Sequence, residues 1–178
     1  MCYNNNLFSN LLFFRFYRYM YIASSPFGEN HTILKADMNG ANVQKLLELG
    51  ESSPVGLVLD KIQYRLYWAE EKTKMIRYVQ LNDVSNILTL VTLNFSVNHL
   101  EMTSIKDHLY VVESGDWWTS QLGNVYRINT GTGQVTKIVQ DLSDPRGICS
   151  YSSVAPIPPS KQPTTLCQIT NATCYSSS

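Results

Sequence analysis

Four carboxylates recur at matched places along the chain: Asp37, Asp60, Glu70 and Glu113. Two carboxylates can run general acid–base chemistry, but that work needs one matched pair, not a copy in every repeat. Recurrence in step points instead to hydrogen bonds that close turns. The other reactive side chains do not converge. His31, His99 and His108 are scattered, and Cys2, Cys149, Cys167 and Cys174 lack the close paired spacing of a zinc site. Gly131-Thr132-Gly133 has the position of a hairpin turn, not of a phosphate-cradling loop. No serine sits in a nucleophile-elbow pattern. These readings predict no catalytic residue, no metal and no cofactor.

Binding chemistry is better represented. Trp117 and Trp118 are adjacent in the stretch Ser114–Leu122, and such a pair on a loop is either a binding hot spot or a cap on a blade edge. Three Asn-x-Ser/Thr sequons, Asn30-His31-Thr32, Asn94-Phe95-Ser96 and Asn171-Ala172-Thr173, favour a secreted setting with exposed glycosylation sites.

The elements that must position these residues come from a repeat. Met20-Tyr21-Ile22-Ala23-Ser24 aligns with Leu66-Tyr67-Trp68-Ala69-Glu70 and with Leu109-Tyr110-Val111-Val112-Glu113; the tyrosines lie 46 and then 43 positions apart. A second landmark, Pro54-Val55-Gly56-Leu57-Val58-Leu59-Asp60, precedes Tyr67, and Asp144-Pro145-Arg146-Gly147-Ile148-Cys149 opens a further copy two periods on. The best copy holds four strand-like runs, near 55–60, 64–69, 74–81 and 86–92, separated by turn residues. Four antiparallel strands every 40–45 residues is the pattern of a β-propeller blade. Val43–Leu49 could start a helix, but its place in the repeat makes it an outer strand. The expectation is an all-β chain of about three four-stranded antiparallel blades.

Leu66-Tyr67-Trp68-Ala69-Glu70, the Pro-x-Gly landmark before it and Ile33-Leu34-Lys35-Ala36-Asp37-Met38-Asn39-Gly40 together resemble the Tyr-Trp-Thr-Asp repeat of low-density lipoprotein receptor class B domains. Glu70, Glu113 and Ser24 stand where that motif has Asp. The resemblance covers residues 17–151. It implies that Tyr21, Tyr67, Trp68, Tyr110, Gly56, Gly147, Asp60, Glu70 and Glu113 are structural motif positions. It implies a six-bladed ring of about 260 residues, of which this chain would supply an open arc. An open arc leaves apolar blade faces in water, a cost of about 25 cal/mol per Å², so the chain is expected to be a fragment or to self-associate.

Residues 1–16 lie outside the repeat; no basic residue precedes their apolar run, so they make a poor signal peptide and read otherwise as a buried strand. Residues 152–166 are a proline-rich connector. Cys167 and Cys174, in residues 167–178, are either two free cysteines or, as the resemblance implies, the first two of an EGF-like module.

Composition sets the outer bounds. Fourteen Lys and Arg balance fourteen Asp and Glu, so the surplus that a phosphate-binding surface needs is absent and no nucleic-acid partner is expected. No run of eighteen apolar residues reads as a membrane span. The functional expectation is a non-catalytic extracellular module that binds protein ligands. The resemblance implies part of a receptor-related protein of endocytic or Wnt co-receptor type, attached to a membrane only through other segments. The alternatives are a nidogen-like matrix propeller and a six-bladed hydrolase or lactonase.

Overall fold

Leu57-Val58-Leu59 and Leu66-Tyr67-Trp68-Ala69 are apolar runs without polar alternation, and a strand carrying such a run needs cover on both faces. The computed structural model describes residues 11–13, 19–26, 29–95, 100–114, 122–143, 145 and 147–149, and supplies that cover. Among the described residues the regular structure is twelve strands in three antiparallel sheets. The first sheet holds β1 (Leu11–Phe13), β2 (Tyr19–Ser24), β3 (His31–Asp37) and β4 (Gln44–Gly50). The second holds β5 (Pro54–Asp60), β6 (Arg65–Glu70), β7 (Met75–Gln80) and β8 (Asp83–Thr92). The third holds β9 (Leu100–Ile105), β10 (His108–Glu113), β11 (Gly123–Asn129) and β12 (Val135–Leu142). Each sheet is a meander in chain order. Among the described residues no helix is long and apolar enough to cross a membrane.

The second sheet is the middle of the arc. Leu57, Leu59, Leu66, Trp68 and Val79 pack with Tyr21, Ile33 and Leu47 of the first sheet. Val58, Tyr67, Ala69 and Ile76 pack with Met102, Leu109, Val111, Tyr126 and Ile128 of the third. Adjacent residues of one strand thus serve opposite cores, as the two-residue period of a strand dictates. Tyr67 and Trp68 are both completely buried. Full burial contributes about 1.5–3 kcal/mol for each large apolar side chain, more than the ~1 kcal/mol span of strand propensity. β5 packs beside β9 on one side and beside β1 and β2 on the other, so the first strands lie nearest the common axis and the sheets fan outward.

The turns explain themselves locally. Asp60 Oδ1 accepts from the backbone N–H of Ile62 (2.8 Å) and Gln63 (3.0 Å), closing the β5–β6 turn. Asn129 Oδ1 does the same for Gly131 and Thr132, both at 2.9 Å, and Gly133 completes that turn at φ +71°. In the Pro-x-Gly landmark, Gly56 is buried at φ +65° where the β5–β6 register slips between Val55 and Leu57. It is the extra residue of a β-bulge, a place that favours glycine. The outer pairs β3–β4, β7–β8 and β11–β12 are all irregular in register as well, which blunts the outer edges against pairing with another chain.

Two boundaries differ from the sequence expectation. The first sheet begins before residue 17: Leu11–Phe13 pairs with Met20–Ile22 as the axial strand, because β2 needs a partner on its inner side. At the other end, Pro145 and Gly147–Cys149 form no strand. Gly147 is exposed with open space at its Cβ position, unlike buried Gly56. Pro145 instead packs on Gly123, and its carbonyl accepts from Ser114 Oγ at 2.9 Å. Gln44–Gly50 is a strand, held by its pairing with β3. The connector 152–166 and residues 167–178 lie outside the described residues.

Replacing Gly56 by valine forces a β-branched residue into the left-handed region inside a packed strand. Urea unfolding should show a loss of about 1–3 kcal/mol, with an unchanged m-value.

Candidate functional site

The fan has two rims, and side-chain links across the sheets define them. On the upper rim, where loops leave β2, β4, β6, β8 and β10, Ser53 Oγ donates to Ser25 Oγ (3.2 Å), and Lys72 Nζ meets Glu51 Oε2 (2.8 Å). On the lower rim, where turns leave β3, β5, β7, β9 and β11, Gln63 Nε2 donates to Thr130 Oγ1 (3.2 Å). Thr130 in turn donates through its N–H (2.8 Å) and Oγ1 (3.0 Å) to the Asp107 carbonyl.

Two of the motif carboxylates, Glu70 and Glu113, end their strands at the upper rim. Glu70 is buried and fully engaged: Oε2 accepts from Thr73 Oγ1 (2.8 Å), and Oε1 from Arg77 Nη1 (3.1 Å) and Trp68 Nε1 (3.4 Å). Arg77 is the cross-strand partner of Trp68, so register places the cation on the carboxylate. Glu113 is buried too, its Oε2 accepting from Asn124 Nδ2 (2.7 Å) and the Tyr126 hydroxyl (3.0 Å). Burial, and then this bond to Glu113, push Tyr126 up to about 12. Glu70 shares a face with Trp68 toward the first sheet, while Glu113 shares one with Val111 toward the second. The two carboxylates therefore serve different interfaces, and the fold does not join them as an acid–base pair.

The remaining motif residues are spread along the fold. Tyr21 and Tyr67 are buried, and Tyr110 is partly exposed on the face of the third sheet turned away from the second. Asp60 lies buried at the lower end of the axial strand β5; its Oδ1 caps the turn, and its Oδ2 has no protein partner. Among the described residues no group of three or more His, Cys, Asp or Glu could hold a metal ion. His31 opens β3, and His108 opens β10 beside Asp107 (2.8 Å). His99, Trp117, Trp118, Asn171, Cys167 and Cys174 lie outside the described residues.

Two features were not anticipated from the sequence. The first is a cleft of about 490 Å³ between the end of β8 and the third sheet, lined by Asn94, Phe95, Glu113, Asn124, Tyr126 and Lys137 among others. The Phe95 and Tyr126 rings stack with centroids 4.0 Å apart and planes 6° apart, and Lys137 Nζ stands 5.6 Å from the Tyr126 ring. The second is a set of exposed apolar side chains at the lower rim: Tyr19, Met38, Val43, Ile62 and Tyr64, with Ile62 73% and Val43 58% accessible. Each is a single residue at a turn or strand start. Only the parallel alignment of the first two sheets puts them on one side.

The bond between Tyr126 and Glu113 has a readable titration. Tyr126 keeps its proton more tightly folded than unfolded. Its contribution to stability is complete below the ordinary tyrosine value of 10.0 and is lost as pH rises toward about 12. Tyrosinate absorbance should show a late-titrating group that Tyr126→Phe deletes and Glu113→Gln moves to lower pH.

No protein-family model matches the sequence, and no curated protein matches it. Solved structures do. A chain of a nidogen/laminin complex is similar with TM-score 0.55 at 20% identity, covering 73% of this chain and 46% of that one. A gluconolactonase from Xanthomonas campestris is similar with TM-score 0.57 at 14% identity, covering 76% and 47%. A structural-genomics protein of unknown function from Bacteroides thetaiotaomicron is similar with TM-score 0.51 at 16% identity, covering 67% and 30%. The chain thus spans about half or less of the length of these structures. At such identities the likeness is one of fold, and that fold is a β-propeller, here an open arc of three four-stranded blades.

Proposed function

We propose that the chain is a non-catalytic, protein-binding propeller module that works outside the cell, as part of a larger receptor or matrix protein with class B repeats. The observation that carries this reading is the lower rim. Five large apolar side chains are partly exposed there, Ile62 and Tyr64 on the same turn, with Lys35 Nζ lying over the Tyr19 ring. Singly exposed apolar residues are ordinary, but a set on one side of a rigid scaffold marks an interaction surface. A tyrosine beside an aliphatic anchor is also hot-spot chemistry. Two further points support the reading. The motif carboxylates Glu70 and Glu113 are spent on hydrogen bonds within their own sheets. The similar chain in the nidogen/laminin structure belongs to a protein–protein complex.

Biosensor titration of the full chain against secreted proteins, laminin and a Wnt protein first, should give saturable binding. Ile62→Asp should weaken it at least tenfold, about 1.4 kcal/mol, with an unchanged Tm. Binding that is indifferent to Ile62→Asp and Tyr64→Ala would remove the lower rim from the proposal.

A second reading, a lactonase-type hydrolase, is favoured by the likeness to the gluconolactonase and by the buried, unpartnered Oδ2 of Asp60 at the axial strand end. The two readings separate on calcium. The binding module should melt at the same temperature with calcium or with a chelator. A rise of several degrees on adding calcium, together with hydrolysis of a sugar lactone, would transfer the assignment to the hydrolase.

A further inference from the structure

We propose that Asn94 carries an N-linked oligosaccharide whose first N-acetylglucosamine seats in the cleft between the second and third sheets. The proposal rests on the extracellular reading only in requiring passage through the secretory pathway. Of the two sequon asparagines in the described residues, Asn30 is already committed: its Nδ2 donates to Glu48 Oε1 at 2.8 Å, and Thr32, the hydroxyl residue of that sequon, is inside β3 opposite Ser24. Asn94 is exposed just beyond the last residue of β8, next to buried Leu93, and it lines the cleft itself.

The cleft matches a sugar in size and in chemistry. Its volume of about 490 Å³ falls within the roughly 300–1,000 Å³ of small-molecule sites. Phe95 and Tyr126, whose rings stack on each other, both line the cleft and give it an apolar side for the C–H groups of a pyranose. Lys137 puts a donor on the same cleft for an acetamide oxygen or a hydroxyl, while the Nδ2 of Asn124 is held by Glu113. Phe95 is also the middle residue of the sequon, so the attachment point and the wall are neighbours in the chain.

The covalent step is the ordinary glycosyl transfer of the secretory pathway. Asn94 Nδ2 attacks C1 of a lipid-diphosphate-linked oligosaccharide. The C–O bond to the diphosphate breaks, the C–N bond forms, and the nitrogen gives up one proton as the lipid diphosphate leaves. The cell's oligosaccharyltransferase supplies the catalysis and the lipid-linked donor, and no electrons are exchanged.

The test uses the full chain with an added secretion signal, expressed in a mammalian line that retains high-mannose glycans, so that entry into the pathway does not depend on the extracellular reading. Where the unfused chain travels tests that reading separately. Enzymatic deglycosylation in heavy-oxygen water followed by peptide mass spectrometry should mark Asn94 in most molecules, and Asn94→Gln should remove that mark. Seating is read by melting three forms. Trimming to a single N-acetylglucosamine should leave Tm unchanged, while the glycan-free Asn94→Gln form should melt about 3 °C lower. An unmodified Asn94 in secreted protein would overturn the site. Equal melting of all three forms would overturn the seating.

Discussion

The structure depends on the second sheet being covered on both faces. Tyr67 and Trp68 are consecutive, both inaccessible to water, and they point into different cores. Neither core can form from one sheet alone. The strands of the second sheet fold only as the filling between two others, and the flanking sheets acquire an interior only by packing on it. That requirement explains the apolar runs of β5 and β6, the fan about an axis beside β5, and the convergence of the first strands.

The polar groups follow from this packing. A buried carboxylate needs partners, and Glu70 and Glu113 find theirs close by: Glu70 on its own turn and on the neighbouring strand, Glu113 on the next strand of its sheet. Their regular spacing is a consequence of building one sheet repeatedly. What differs between the rims is therefore left to the loops. The upper loops carry Asn30 and Asn94, and the lower rim carries exposed apolar side chains.

Much of the fold was legible because strand period and turn chemistry are local. The aligned tyrosines located the second strand of each sheet, and the repeat correctly made Gln44–Gly50 a strand although its residues suit a helix. A strand among residues 1–16 was one of the readings, but its place in the first sheet was not legible: three residues without a tyrosine anchor carry no period, and the edge of β2 sets where they pair. The cleft was not legible either, since Phe95 and Tyr126 belong to different sheets and meet only after the sheets stack. The reach from Arg77 to Glu70 required the register of β6 against β7. The lower rim is the extreme case, with its five side chains drawn from turns and strand starts of two sheets that align only in three dimensions.

The hydrogen bonds of Glu70 and Glu113 begin and end within one sheet, whereas the joints between sheets are mostly grease with a few side-chain ties such as Gln63 to Thr130. Each blade is consequently a self-wired part with an unspecific coupling. Adding or exchanging such a part would leave its internal polar circuit whole and require only the few ties at each joint to be redrawn.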